Sequence, residues 1–524
     1  MFQKKKQIIQ IILVIGALLA CAGVLCVSSP KGRLSSLKVS EEEYQAILDS
    51  HTVTDTELLA GLRLNGRPVL CDRGNDTFYY SLVKKDNDRT DPQVTVDGSG
   101  VQVRALYSTI DDQFLESNST IKLLAYNETS CREYALKLTS LPMINVKTDK
   151  EFSKAHPAAF TMELFDNRDD AQIYYSASTG IIHQRGASSM SYPKQSYKIN
   201  LKTSIGKAES RDPNLLGLRE NNEWILYAPY WDRDLVRNVF TTRMWKESCA
   251  KQNEFGVDNG HDFRFVELFV NGAYEGLYAL GYMPDEVQMK VNRALGEVEY
   301  KSQDWFDYEK DADALEELFS IVDPFDGFSE YENKNAWKPL EEYVASLSSG
   351  KPLEEYWNEI DRDSFENLYL FTNVTQGFDC AREGVVKNFY ITAKWNGERL
   401  KMLYTPWDLN LTWGMYYQEY PMNIEDNYLY TFGPFHRYPP ENNPEQFSEL
   451  CERYRNLREN SWSDEALFAI IDELETQVFD SGAYLRNKER WPHSDFAEEK
   501  TDLSDFKRYV SERMAYCDRY YSEN

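Results

Sequence analysis

Tyr404-Thr405-Pro406-Trp407-Asp408-Leu409-Asn410-Leu411-Thr412-Trp413-Gly414 sets one carboxylate, Asp408, between two large apolar residues. It follows directly on a strand-like run, Leu400-Lys401-Met402-Leu403-Tyr404. A charge in such apolar company is costly unless a cation or hydrogen bonds compensate it. Just upstream lies a second strand-like run, Asn388-Phe389-Tyr390-Ile391-Thr392, entered through the loop Gly377–Lys387 from a helix predicted over Arg362–Thr375. Asp379 and Asn388 flank that loop. A carboxylate there can accept or orient a hydroxyl proton, and an amide carbonyl can ligate a hard cation.

Further upstream, Arg185-Gly186-Ala187-Ser188-Ser189-Met190-Ser191-Tyr192-Pro193-Lys194 is a small-residue turn between strands, which lets backbone N–H groups approach an anion closely. Lys198 stands on the strand face opposite Tyr197 and Ile199, and Lys194 shares that face at an even offset. A lysine after such a loop reaches phosphates as a point charge. In chain order these are a loop, a lysine, a hydroxyl-orienting Asp, a metal-binding Asn and a metal-binding Asp, the parts of phosphoryl transfer. Each also has a plain reading: a surface turn at 185–194, solvated edge lysines, a loop cap at Asp379, a turn aspartate at Asp408. The signatures of ordinary kinases, GxGxxG, HRD and DFG, are absent. A glycan-modifying enzyme fits poorly, because no Asp/Glu pair has a distinctive spacing.

The chain has 524 residues, enough for about three to four domains. Lys and Arg number 58 against 85 Asp and Glu, a net charge of −27 that repels phosphate backbones and argues against nucleic-acid binding. Lys4-Lys5-Lys6 precede an apolar run, Ile8–Val27, interrupted only by Gln10. Twenty residues span about 30 Å as a helix, the thickness of a bilayer core. The lysines favour the cytoplasmic side, so the bulk of the chain is expected outside. Residues 1–27 thus read as a membrane anchor or a signal segment, with Leu18-Leu19-Ala20-Cys21 resembling a lipoprotein box; lipoprotein and secreted forms stay open.

Residues 28–51 read as a polar stalk, and 52–140 as a small all-β, sandwich-like domain with short alternating runs and turn clusters. Cys71 and Cys131 fall in that domain and could form a bridge in an oxidising compartment. Residues 141–285 read as a curled antiparallel sheet with a helix from Asp232 to about Glu247, and 286–524 as mainly helical. The fold class is α+β, with a β-rich lobe joined to a helical lobe around a cleft.

The blocks 185–201 (RGASSMSYPKQSYKINL), 224–238 (WILYAPYWDRDLVRN), 267–280 (ELFVNGAYEGLYAL), 387–392 (KNFYIT) and 405–414 (TPWDLNLTWG) together resemble the CotH kinase family, the spore-coat-protein-H-like atypical kinases. The resemblance covers about 141–524. It implies a bilobal protein-kinase-like fold that binds ATP with Mg²⁺ (or Mn²⁺) and phosphorylates a coat or envelope protein. By the same resemblance Asp379 is catalytic. Arg185, Gly186, Ser188, Ser189, Lys194 and Lys198 lie on the nucleotide side, and Asn388 and Asp408 hold metal. Arg237 matches a recurring position. The chain departs from the family pattern at Asn410, where an acid is common, and at Tyr282, where Glu is common. Those departures leave a second reading open, a catalytically inactive kinase-fold surface scaffold or adhesin.

Overall fold

The computed structural model describes residues 31–97, 100–206, 209–322, 330–416, 421–426, 430–492 and 500–522. The apolar run at 8–27, expected as an anchor or signal helix, lies outside them. Among the described residues no helix is long and apolar enough to cross a membrane. The chain divides into two compact units, fewer than its length suggests.

The first unit holds the described residues up to Leu138, apart from Leu115–Asn118. It contains two sheets, one of four strands and one of six. The stretch expected as a polar stalk is folded: strand Lys31–Arg33, a 3₁₀ turn at Leu34–Leu37 and helix Glu41–Ser50. The cause is a capping motif. The Ser40 side chain accepts from the Glu43 N–H, three acids sit at the positive helix end, and Leu34 and Tyr44 are buried. Cys71 and Cys131 are both free thiols.

The second unit comprises Leu115–Asn118 and Thr139–Asn524. Its first part is a closed barrel of seven strands: β1 (Met143–Lys147), β2 (Ala158–Phe165), β3 (Tyr175–Arg185), β4 (Ser196–Lys202), β5 (Glu223–Tyr227), β6 (Phe263–Val270) and β7 (Ala273–Gly281), in the order β1-β2-β3-β4-β5-β7-β6. The expected curled sheet was antiparallel throughout. Closure instead needs a parallel pair between β1 and β6, with Met143 opposite Glu267. Local alternation cannot reveal a pairing between strands so distant in the chain. The interior is filled as the period of two dictates, by Tyr197, Ile199 and Leu201 of β4 with Phe160, Met162, Trp224, Val266 and Leu268. Asn271 and Gly272 both take positive φ in the β6–β7 turn, as an Asn-Gly hairpin requires.

Helix α1 is Arg237–Ser248, five residues later than its acids suggest. Asp232 and Asp234 are buried, and both form ion pairs with the buried Arg237 guanidinium, at 2.7 and 2.5 Å. Asp232 also accepts the Arg237 backbone N–H, so the acids close a turn ahead of the helix. Arg237 is therefore a structural cation.

The remainder packs a four-stranded sheet, in the order β9-β8-β10-β11, against helices. The strands are β8 (Val298–Ser302), β9 (Phe319–Ile321), β10 (Phe389–Trp395) and β11 (Leu400–Pro406). Within the part expected to be mainly helical, the spacing over 311–322 predicts a helix, but only Leu315–Leu318 is α-helical, and Phe319–Ile321 leaves the helix to pair with β8. Helices α2 (Glu330–Ser348), α3 (Arg362–Thr375), α4 (Pro444–Arg458), α5 (Asp464–Glu475), α6 (Ala483–Arg490) and α7 (Ser504–Ser522) complete this part.

Helix α6 is tied to the barrel by a buried ion pair, Arg486 to Glu267 at 2.5 Å. Thr139 and Tyr274 hydroxyls also donate to that carboxylate. Removing one partner of such a pair leaves an uncompensated buried charge. Arg486→Met should destabilise the protein by about 3–5 kcal/mol in urea titration. Adding Glu267→Leu to that variant should recover most of the loss; an unrecovered double variant would refute the account.

Candidate active site

The β10–β11 hairpin builds the site's base. Its ladder pairs Phe389 with Pro406, and one step beyond it the Trp407 N–H donates to the Asn388 carbonyl at 2.8 Å. Asn388 and Asp408 thus flank the same end of the hairpin. Both have left-handed backbone, φ 58° and 55°, a conformation that Asn and Asp tolerate better than other residues with a side chain. The nine-residue interval between Asp379 and Asn388 closes through a miniature hairpin, Ala381–Arg382 against Val385–Val386. Its turn is Glu383-Gly384, both at positive φ. Asn388 Nδ2 then donates to the Asp379 carboxylate at 2.8 Å and to its carbonyl at 3.1 Å.

Asp379, Asn388 and Asp408 line one cavity of about 460 Å³ with Arg185, Gly186, Ser188, Ser189 and Lys198 from the barrel. Gly186 has φ 128°, and a Cβ there would overlap Ser189 Oγ; the tight turn into the 3₁₀ segment Ser188–Ser191 requires glycine. Lys198 points into the cavity and pairs with Glu223 at 2.8 Å.

Lys194 departs from expectation. It does not share an open face with Lys198 but is buried, its ammonium donating to the Leu277 carbonyl at 2.5 Å and to Asn487 Oδ1 at 2.8 Å. Burial holds its pKa well below the ordinary lysine value. These bonds link β7 to α6 and use two of the three ammonium N–H donors, while Lys194 still borders the cavity that Lys198 lines. Tyr282 is buried in the barrel core, whereas Asn410 lines the cavity.

Burial pushes the Asp379 carboxyl up to about 6, with Lys387 opposing that rise and the Asp408 charge adding to it. One site residue escaped the motif-based reading. Lys301, on β8, lines the cavity with its ammonium 5.4 Å from the Trp407 ring centre and 5.7 Å from that of Tyr390. Burial, then the neighbouring Arg185 charge, push it down to about 7. Glu299 shares its strand face, and neither of its carboxyl oxygens has a hydrogen-bond partner among the described residues. The signal was present: Val298-Glu299-Tyr300-Lys301 alternates with period two, and its two charged members fall on one face.

A larger notch of about 680 Å³ lies elsewhere, lined by Arg362, Asp363, Glu366 and Arg453. Its charges satisfy one another, Arg362 with Glu366 at 2.7 Å and Arg453 with Asp363 at 2.6 Å. It therefore offers little to a ligand.

The CotH kinase protein family model matches residues 182–517, well over half of the chain. The chain belongs to the CotH kinase family. Family membership makes it an atypical kinase-like protein. No curated protein matches it. The matched region contains every site residue described above.

Burial, then the Asp285 charge, hold the Glu299 carboxyl well above its ordinary 4.5. The folded state therefore binds this proton more tightly than the unfolded chain, and the stability it contributes is full below pH 4.5 and lost as pH rises above it. Glu299→Gln removes the titration. The melting temperature of the variant relative to the parent should climb steadily from pH 4.5 to 8; parallel curves across that range would exclude a neutral buried acid.

Proposed function

We propose that this CotH-family chain is an extracytoplasmic kinase that transfers the γ-phosphoryl group of ATP to a protein hydroxyl with a divalent cation. The single observation carrying this reading is the convergence of Asp379, Asn388 and Asp408 on one cavity that Arg185, the Gly186–Ser189 turn and Lys198 also line. The donor set is all hard oxygen. No hydrogen bond or ion pair among the described residues engages the Asp408 carboxylate, which keeps it available to a cation. Mg²⁺ and Mn²⁺ suit one or two carboxylates completed by phosphate oxygens. The cavity volume lies within the range of small-molecule sites.

In this reading Asn388 and Asp408 hold the metal, which when bound neutralises charge on the phosphates. Arg185 and Lys198 orient the phosphate chain, and the N–H groups of the 186–189 turn approach it closely. Asp379 takes the proton of the acceptor hydroxyl as the new O–P bond forms and the bond to ADP breaks. A carboxyl near pKa 6 is a stronger base than an ordinary aspartate and is still ionised at neutral pH. The same carboxylate is held by Asn388, so metal site and base share one support. Residues 1–27 would tether the protein to the cell membrane, or direct it to a lipoprotein or secreted form. The acceptor would be a coat or envelope protein.

A second reading, a catalytically inactive scaffold or adhesin, is favoured by Asn410, which lines the cavity where the family often has an acid. Two variants separate them. Saturating ATP–Mg²⁺ should raise the melting temperature of the parent by about 3 °C, as expected for ligand at 100 times Kd. Asp408→Asn, which preserves the backbone preference at φ 55°, should respond by less than about 1 °C; an undiminished response would remove Asp408 from the metal site. Asp379→Asn should bind ATP yet lose about 10²–10⁴-fold of phosphate transfer to a casein-like acceptor. No transfer by the parent, despite nucleotide binding, would favour the scaffold.

A further inference from the structure

The interior cations of the second unit mostly have fixed partners: Lys194 has Leu277 and Asn487, Lys198 has Glu223, Lys394 has Glu297, and Arg486 has Glu267. Lys301 and Arg185 do not. Among the described residues no carboxylate or carbonyl receives a hydrogen bond or ion pair from either. Instead both stand over the same indole: the Lys301 ammonium 5.4 Å and the Arg185 guanidinium 5.8 Å from the Trp407 ring centre. A ring face attracts a cation but cannot neutralise it. Two cations gathered around one indole repel each other, and this repulsion is one cause of the lowered Lys301 pKa. Asp408, next in sequence to Trp407, adds a partly compensating charge. In a chain of net charge −27, such a cationic spot does not follow from composition.

The two cations come from different sheets. Arg185 ends barrel strand β3, and Lys301 lies on β8 of the second sheet, paired with Tyr390. An anion held by both would join the barrel to the second sheet.

We propose that Lys301 and Arg185, assembled on Trp407, form an anion clamp for the phosphate chain of a bound nucleoside di- or triphosphate, acting without the metal. This rests on the kinase reading above and adds to it a phosphate contact from the helical part's sheet, where the phosphoryl-transfer template needs only a loop and one strand lysine. The clamp explains why β8, otherwise a buried strand, carries a lysine on its cavity face.

The test is direct binding to the full chain in EDTA, by calorimetry, with ADP, adenosine and pyrophosphate as probes. Lys301→Met should weaken ADP binding about tenfold or more, the scale of a lost charged hydrogen bond, and leave adenosine unchanged. Lys301→Arg should restore most of the affinity, which separates lost charge from a misfolded variant. Arg185→Gln should also weaken ADP binding, and the double variant should lose less than the product of the two. ADP binding by Lys301→Met within twofold of the parent would overturn the clamp while leaving the kinase reading intact. A parent that binds pyrophosphate through Lys301 but neither ADP nor adenosine would uphold the clamp and refute the nucleotide. Binding of none of the three would overturn both.

Discussion

The backbone hydrogen bond from the Trp407 N–H to the Asn388 carbonyl ends the β10–β11 ladder, and the site follows from it. Once the two strands are in register, the residues just outside the ladder must share one end of the hairpin. Asn388 and Asp408 then turn through left-handed backbone, which suits their residue types. The Glu383-Gly384 turn folds the preceding loop back, so Asp379 reaches the Asn388 amide. A one-residue slip in this hairpin would send the Asp408 side chain to the other face, and the cavity would lose that carboxylate.

Charge is distributed in two regimes. Deep ion pairs such as Arg237 with Asp232 and Asp234, or Arg486 with Glu267, are closed on themselves and join elements of the second unit. At the cavity the charges are left open: Asp408, Arg185 and Lys301 have no fixed hydrogen-bonding partner among the described residues. Charge held partly out of water without a partner is unfavourable in a folded protein. Its persistence here is the physical mark of a place built to receive a ligand, and it distinguishes this cavity from the larger self-satisfied notch beside α3 and α4.

Much of the framework was legible in the residues. The alternation of β4, the Asn-Gly turn after β6, helix Arg362–Thr375 and the two strands around Asp408 follow from local period and turn chemistry. Misreadings arose where composition masked one decisive contact. The segment before the first domain looked like a solvated stalk because only Leu34 and Tyr44 carry its burial. The run 311–322 has helical spacing, but pairing with β8 offered Phe319–Ile321 more burial than another helical turn. Lys194 looked like a companion to Lys198, yet the four-residue offset is counted from outside strand Ser196–Lys202, where period two no longer holds.

By itself the sequence determined which residue types stand at the hairpin ends, the small-residue turn at 186–189 and the family to which the chain is akin, because these depend on neighbours a few positions apart. Only the tertiary structure decided that the barrel closes through a parallel pair, that Lys194 is buried, and that Lys301 and Arg185 meet over one indole. Those outcomes depend on which distant surfaces exclude water together, and burial, unlike turn propensity, is a property of the whole packed unit.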